Sequence, residues 1–224
     1  MCGRFTLFAP YYEILDRFDI ESAFAESDYI PSYNIAPSQN VVAVINDGQK
    51  NRLGHLRWGL IPPWAKDEKI GYKMINARAE TVAEKPSFRK AFQKQRCILP
   101  ADSFYEWQRK DGEKIPMRIR LKNDELFAIA GLWESWKSPD GKVIHTCTAI
   151  TTAPNELMKP IHDRMPVILK REDEAAWLDP RNDDVDFLGN MLRSFDEKQM
   201  DAYSVSSAVN SPKNNEANLI VPVC

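Results

Sequence analysis

The chain has 224 residues, of which 43% are hydrophobic and 28% charged, and its formal net charge is −2. This length and apolar content allow a substantial core, and we expect one domain over residues 1–224. The slightly acidic balance argues against a protein that coats nucleic acid by bulk electrostatic attraction, because such proteins carry basic patches. No apolar run has membrane-spanning length, and the first residues lack a signal-peptide profile, which predicts a cytoplasmic protein.

The predicted elements of the first half are short and mostly extended. A strand is predicted at 4–8, and apolar side chains at helical spacing predict a helix at 11–18. The polar, proline-containing stretch 26–40 reads as a loop. Two β-branched segments with a hairpin signal at Asp47-Gly48 between them predict strands at 41–45 and 53–58. The prolines within 60–69 exclude a central strand there.

Strands dominate the second half, after a helix that Pro86 opens and that ends near residue 95. The predicted strands lie at 97–99, 103–108, 116–121, 126–133, 143–151, 202–205 and 219–223. Two further helices are predicted at 172–178 and 185–195. This order favours an α+β fold built mainly from antiparallel β-sheet, with a barrel-like core and peripheral helices.

The most informative residue is Cys2, which follows the initiator methionine. Removal of Met1 would place its thiol two carbons from a free α-amine, and these groups have ordinary pKa values of about 8.5 and about 7.7 to 8.0. Such a pair can attack an amide, as in N-terminal-nucleophile hydrolases, or can condense with an aldehyde and close into a thiazolidine ring. A third interpretation is a small buried hydrophobe.

Two further residues have the chemistry of proton donors and acceptors. Glu106 stands among aromatic residues in a predicted strand, where desolvation would raise its pKa, although strand alternation also fits an outward-facing carboxylate. His162 lies in a predicted loop, where polar residues are often functional, although a packing role is equally compatible with one histidine. The four cysteines contain no C-x-x-C pair, so neither a disulfide framework nor a zinc site is indicated.

Asn76 and Arg78 lie two residues apart and share one face if the segment is extended. The Asn76 amide is suited to orient an amine or a sugar hydroxyl, and the Arg78 guanidinium is suited to grip a phosphate. A surface ion pair is the alternative for Arg78.

Seven short motifs occur in an order that resembles the SRAP family, the SOS-response-associated peptidases. They are Met1-Cys2-Gly3-Arg4-Phe5, Tyr33-Asn34-Ile35-Ala36-Pro37, Trp58-Gly59-Leu60, Asn76-Ala77-Arg78-Ala79-Glu80-Thr81, Glu106-Trp107, Ala130-Gly131-Leu132-Trp133 and His162-Asp163-Arg164-Met165-Pro166. Each motif alone is weakly specific, whereas their shared order covers essentially the whole chain.

The resemblance implies an abasic-site sensor of the DNA damage response, in which the N-terminal cysteine crosslinks to the aldehyde of an abasic site in single-stranded DNA. It implies that Cys2 supplies amine and thiol, that Asn76 positions the linkage, and that Glu106 and His162 move protons. The implied DNA contacts are Arg4, Pro37, Trp64, Arg78, Trp107 and Thr151. The resemblance also implies removal of Met1, by the protein itself or by an aminopeptidase.

The expected partner is single-stranded DNA containing abasic sites, with no cofactor, metal, membrane or obligatory protein partner, and with nucleoid association after DNA damage. Three alternatives remain open. A class II glutamine amidotransferase also begins with cysteine and glycine, but the chain lacks the Asn-Gly dipeptide of that family's oxyanion hole. A non-catalytic single-strand-binding module would not need Cys2. A peptidase acting on other proteins would cleave foreign substrates.

Overall fold

The computed structural model describes residues 2–223, so the predicted removal of Met1 concerns a residue outside this range. The strands are β1 (Phe5–Leu7), β2 (Ile20–Ser22), β3 (Ser32–Ile35), β4 (Asn40–Asn46), β5 (Asn51–Trp58), β6 (Asn76–Arg78), β7 (Arg96–Ala101), β8 (Ser103–Lys110), β9 (Glu113–Leu121), β10 (Phe127–Lys137), β11 (Val143–Thr152), β12 (Met165–Pro166) and β13 (Met200–Ser204). The α-helices are α1 (Tyr11–Arg17), α2 (Arg89–Lys94), α3 (Arg171–Leu178) and α4 (Val185–Gly189). Short 3₁₀ helices span Glu26–Asp28, Glu68–Lys73, Glu197–Gln199, Ser207–Asn210 and Ala217–Ile220.

The strands form two sheets, one of which closes on itself. The first sheet has the order β13-β9-β8-β1-β3 and is antiparallel throughout. The second has the order β12-β11-β10-β7-β4-β5-β2, with β6 beside β11. Because β11 also pairs with β5, in parallel at Thr146 and Arg57, the strands β5, β4, β7, β10 and β11 make a closed ring. This ring removes free edges and confirms the predicted barrel-like core.

The N-terminal strand is fixed to the barrel by aromatic packing. Phe5 in β1 meets the Trp58 ring edge-on at a centroid distance of 5.2 Å, and both side chains are fully buried. The Trp58 indole N–H donates to the carbonyl of Ile75, 2.8 Å away, just before β6. Burial of such rings is among the larger single contributions to stability. The Trp58 side chain therefore fixes the position of β1 relative to the residues that precede β6.

A close approach of two glycines fixes the loop between β5 and β6. Gly59 has a φ of +129°, and a Cβ placed there would lie 2.7 Å from the carbonyl oxygen of Gly71. Only glycine allows this backbone conformation at such a distance. The loop therefore folds back on Gly59 at Gly71 and then leads into Asn76, the first residue of β6.

Several predicted elements differ from the structure, among them helix α2, which begins at Arg89 and not at Pro86. Ser32–Ile35 forms β3 inside the predicted loop 26–40, because pairing with β1 overrides the local proline signals. The predicted helix 185–195 ends at Gly189, and the next residues turn so that Met191 and Leu192 become buried. The predicted strand 219–223 is wrong: residues Ala217–Ile220 form a 3₁₀ helix, followed by a single bridge from Pro222 to Val205.

Arg96 ties the ends of two helices together. Arg96 is 3% exposed. Its guanidinium donates, at 2.5–2.8 Å, to the backbone carbonyls of Phe92, Gln93, Trp177, Asp179 and Asn182. Burial lowers its pKa to about 10. These acceptors lie in or just beyond the last turns of α2 and α3, where helix carbonyls lack intrahelical partners.

We expect Arg96→Met to lower the free energy of unfolding by at least about 3 kcal/mol, because five backbone carbonyls would each lose a hydrogen-bond donor. Urea denaturation followed by circular dichroism measures this change. Arg89→Met, at an exposed position of α2, serves as the control and should shift stability by no more than about 0.5 kcal/mol. Equal denaturation midpoints for the two variants would contradict the assigned role.

None of the helices within residues 2–223 combines the length and the apolar character that crossing a membrane requires.

Candidate active site

Cys2 and Asn76 meet where the chain enters β1. Cys2 is 1% exposed, and its carbonyl accepts a hydrogen bond of 2.8 Å from the Asn76 side-chain nitrogen. Asn76 is held by β6, which pairs in parallel with β11 at Ala149. The amide oxygen of Asn76 is buried and makes no hydrogen bond to the described residues. Asn76 therefore anchors the Cys2 backbone and keeps one acceptor available.

Glu106 reaches the same site from β8. This strand pairs with β1 at Phe5 and Phe104, which places Glu106 beside the N-terminal segment. The residue is 2% exposed, and burial, assisted by the charge of Asp163, raises the pKa of its carboxyl to about 7. Burial, and next the charge of Glu106, also raise the pKa of the Cys2 thiol well above its usual range. The thiol is therefore protonated at neutral pH, next to a carboxyl that titrates there.

His162 completes the cluster from the loop between β11 and β12. Its Nε2 lies 3.8 Å from Oε2 of Glu106. Its Nδ1 accepts a 3.0 Å hydrogen bond from the Arg164 backbone N–H, which places the ring proton on Nε2, facing Glu106. The exposed Asp163 carboxylate also lies 2.8 Å from Nδ1. A carboxylate accepts hydrogen bonds, so it favours a proton on Nδ1 and competes with the Arg164 N–H, which favours a bare Nδ1. Burial lowers the His162 pKa, so the neutral ring predominates at pH 7.

Arg4, just before β1, and Trp107, on β8, contact each other. Side chains alternate along a strand, so Trp107 lies on the opposite face of β8 from Glu106. The Arg4 guanidinium donates to Asn34 Oδ1 and to the Val209 carbonyl, each at 2.7 Å, and lies 5.7 Å from the centre of the Trp107 ring. The Trp107 indole N–H donates to Asn210 at 2.7 Å. The two acceptor oxygens carry no formal charge, so these bonds do not neutralise the positive charge of Arg4.

The other predicted DNA contacts have varied surroundings. Arg78 is exposed at the end of β6, and Trp64 is 58% exposed on the loop after β5. Pro37 is half-buried in the turn before β4, and the N–H of the next residue donates to the carbonyl of Trp58. The Pro37 turn therefore lies at the end of β5 where the Trp64 loop begins. Thr151 is buried, and its carbonyl accepts from the Ala79 N–H at 2.8 Å.

The structure thus brings Cys2, Asn76, Glu106 and His162 into one cluster. The side chains of Arg4 and Trp107 contact each other. The sequence analysis assigned no role to Glu80, Arg164 or Asn34. Each lies inside one of the seven motifs, and that placement was the available signal. The Arg164 guanidinium makes a two-pronged ion pair with Glu80. Asn34 donates to three carbonyls of the C-terminal segment 206–215, those of Val209, Ser211 and Asn214.

The chain is similar to known proteins over nearly its whole length. The chain is 63% identical to the abasic site processing protein YoqW of Bacillus subtilis, over 98% of this chain and 99% of that protein. It is 32% identical to the abasic site processing protein HMCES of Xenopus tropicalis, over 84% of this chain and 64% of that protein. A crystal structure of a protein from Bacteroides thetaiotaomicron superposes with a TM-score of 0.90, at 29% identity and covering 100% of each chain.

A second crystal structure, of a protein from Bordetella bronchiseptica, has a TM-score of 0.79 at 25% identity and covers 92% of this chain and 100% of that chain. These likenesses confirm the α+β fold. The family model described as SOS response associated peptidase matches residues 1–212. The chain therefore belongs to the SRAP family, as its ordered motifs indicated.

Proposed function

We propose that this chain, after loss of Met1, captures abasic sites in single-stranded DNA by forming a thiazolidine through Cys2. The observation that supports it most directly is a buried carboxyl with a pKa of about 7 beside an N-terminal cysteine whose backbone is held by Asn76. The names of the relatives, abasic site processing proteins, point to the same substrate. We propose further that the chain acts as one domain in the cytoplasm, without a cofactor or an obligatory protein partner.

The chemistry proceeds in one condensation and one addition, without change of oxidation state. The Cys2 α-amine attacks the aldehyde carbon of the opened sugar, and loss of one water leaves a carbon–nitrogen double bond. The sulfur then adds to that carbon while the thiol proton passes to the nitrogen. Because burial keeps the thiol protonated, the amine attacks first, and the thiol reacts once a base removes its proton.

Glu106 is the group that removes and returns protons in these two reaction steps. A carboxyl with a pKa near the working pH exchanges protons in both directions with little driving force. Its partner His162, 3.8 Å away, carries protons between Glu106 and the sugar oxygen during ring opening and reversal. Asn76, whose amide oxygen has no partner among the described residues, accepts a hydrogen bond from the attacking amine.

The DNA strand is held by charge and stacking near the cluster. We assign Arg4 and Arg78 to the phosphates beside the lesion, because guanidinium groups match phosphate geometry. Trp64 and Trp107 offer rings for base stacking, Pro37 acts as a wedge, and Thr151 gives a backbone contact. The formal net charge of −2 suits a protein that retains a rare lesion covalently and releases undamaged DNA.

The test uses a single-stranded oligonucleotide with one uracil, converted to an abasic site by uracil glycosylase. Incubation with the purified protein should give a heat-stable band of reduced mobility on a denaturing gel. The same oligonucleotide reduced with borohydride has no aldehyde and should give none. Intact mass spectrometry of the protein measures whether Met1 has been removed.

A protein shown to lack Met1 that forms no adduct would overturn the proposal. A band with the reduced oligonucleotide would also do so, because it would show that the aldehyde is not the reacting group.

A further inference from the structure

Arg164 fastens the His162 loop to two other parts of the fold. Its guanidinium donates to both carboxylate oxygens of Glu80, at 2.6 and 3.0 Å, and to the Thr151 carbonyl at 2.6 Å. The same carbonyl accepts the Ala79 N–H at 2.8 Å. The turn after β6, the end of β11 and the His162 loop therefore converge on one set of hydrogen bonds.

These hydrogen bonds of Arg164 affect His162 directly, because the backbone N–H of Arg164 donates to His162 Nδ1. Among the described residues, the charged groups close to the ring include Glu106 from β8 and Asp163 from the loop itself. Since Nδ1 is held by the Arg164 backbone, a movement of Arg164 changes both the ring orientation and the separation of Nε2 from Glu106.

We infer that Glu80 is a positioning residue, which fixes His162 against Glu106 through the Arg164 guanidinium. The inference rests on the proposed function for its catalytic consequence. Glu80 sits two residues beyond Arg78 and four beyond Asn76, so β6 and its turn orient two opposite sides of the cluster, Asn76 on the Cys2 side and Glu80 on the His162 side. A bidentate arginine–carboxylate pair has the directional rigidity that this role requires.

Electrostatics and positioning predict opposite outcomes for Glu80→Ala. Removal of a negative charge near a DNA-binding surface should strengthen attraction to the phosphates. Loss of positioning should slow the reaction instead, by roughly 10-fold under single-turnover conditions, since small misplacements of reacting groups are costly. Glu80→Gln, which keeps one acceptor for Arg164, should fall between the parent and Glu80→Ala.

The matched control is Glu68→Ala. Glu68 pairs with Arg57 at 2.7 Å and its side chain is 46% exposed, compared with 51% for Glu80. This variant should form the adduct at the parental rate. Thermal melting of both variants checks that each is folded.

Two measurements decide the inference. In a His162→Ala background, Glu80→Ala should slow adduct formation by less than about 2-fold, because its effect passes through His162. A full 10-fold effect in that background, or no effect in the parent, would overturn the inference while the adduct itself still formed. Failure of the parent protein to form any adduct would instead refute the proposed function.

The second measurement needs no DNA. The chain has three histidines, so proton NMR can follow each imidazole during a pH titration. Burial holds the His162 pKa below its usual range, and loosening the loop in Glu80→Ala should raise it towards about 6.5. His55 should titrate as in the parent. An unchanged His162 titration would show that Glu80 does not hold the ring.

Discussion

Replacing Cys2 with alanine is expected to abolish the heat-stable adduct while leaving a transient imine. The α-amine at position 2 is unchanged and still condenses with the abasic aldehyde, but no sulfur is present to close the ring. The imine hydrolyses on heating, whereas the thiazolidine survives. Denaturing gels run with and without borohydride reduction separate the two species: the variant should show a band only after reduction.

Cys147→Ala is the matched control for this experiment. Cys147 is a second fully buried thiol, on β11, and it has no neighbouring α-amine. Its variant should give the parental heat-stable band. If Cys2→Ala also gave that band, the linkage would involve a different residue, and the role of the aminothiol would be wrong.

Glu106→Gln is expected to slow adduct formation by about 100-fold or more, the usual cost of removing a general acid–base group. In the parent, the rate should rise with pH around the pKa of about 7, as the carboxyl becomes a base. In the variant that dependence should vanish, leaving only the ionisation of the α-amine at about 7.7 to 8.0. Single-turnover rates between pH 5 and pH 9 measure both profiles.

The same substitution should stabilise the fold above neutral pH. The folded-state pKa of Glu106, about 7, lies above its unfolded value of about 4.3, so an ionised carboxylate is penalised in the folded protein. The penalty is absent below about pH 4, grows between pH 4 and pH 7, and is complete above pH 7. Glu106→Gln should therefore gain up to about 3 kcal/mol at pH 8 and almost nothing at pH 4.

Urea denaturation at both pH values measures this gain, with Glu113→Gln as the control. Glu113 is exposed on the adjoining strand β9, so its variant should match the parent at both pH values. A Glu106→Gln protein that is less stable than the parent at pH 8 would show that the buried carboxylate is compensated, and the assigned pKa direction would be wrong.

Much of the fold follows from local patterns in the sequence. Strands β4 and β5 and helix α1 lie where side-chain periodicity predicted them, and the hairpin signal at residues 47–48 joins two paired strands. The errors arose where distant contacts decide the conformation. Strand β3 exists because β1 pairs with it, and the tail 217–220 turns helically to bury Leu219. No local pattern encodes these partners.

The site was predictable as a set of residues but not as a network. The chemistry of Cys2, Glu106 and His162 is visible in their side chains, and ordered motifs linked them to one family. The ion pair of Glu80 with Arg164 spans 84 residues and depends on the parallel pairing of β6 with β11. Parallel pairing of short strands has no sequence signature of its own, so this contact needed coordinates.

The hydrogen bond from Arg4 to Val209 joins residues 205 positions apart. The segment around residue 209 leaves the ribosome long after Cys2 and Arg4. A chain that ends before residue 209 therefore lacks an acceptor that holds the Arg4 guanidinium, two residues from Cys2. If Cys2 reacts as proposed, its surroundings are complete only once this late segment has been synthesised.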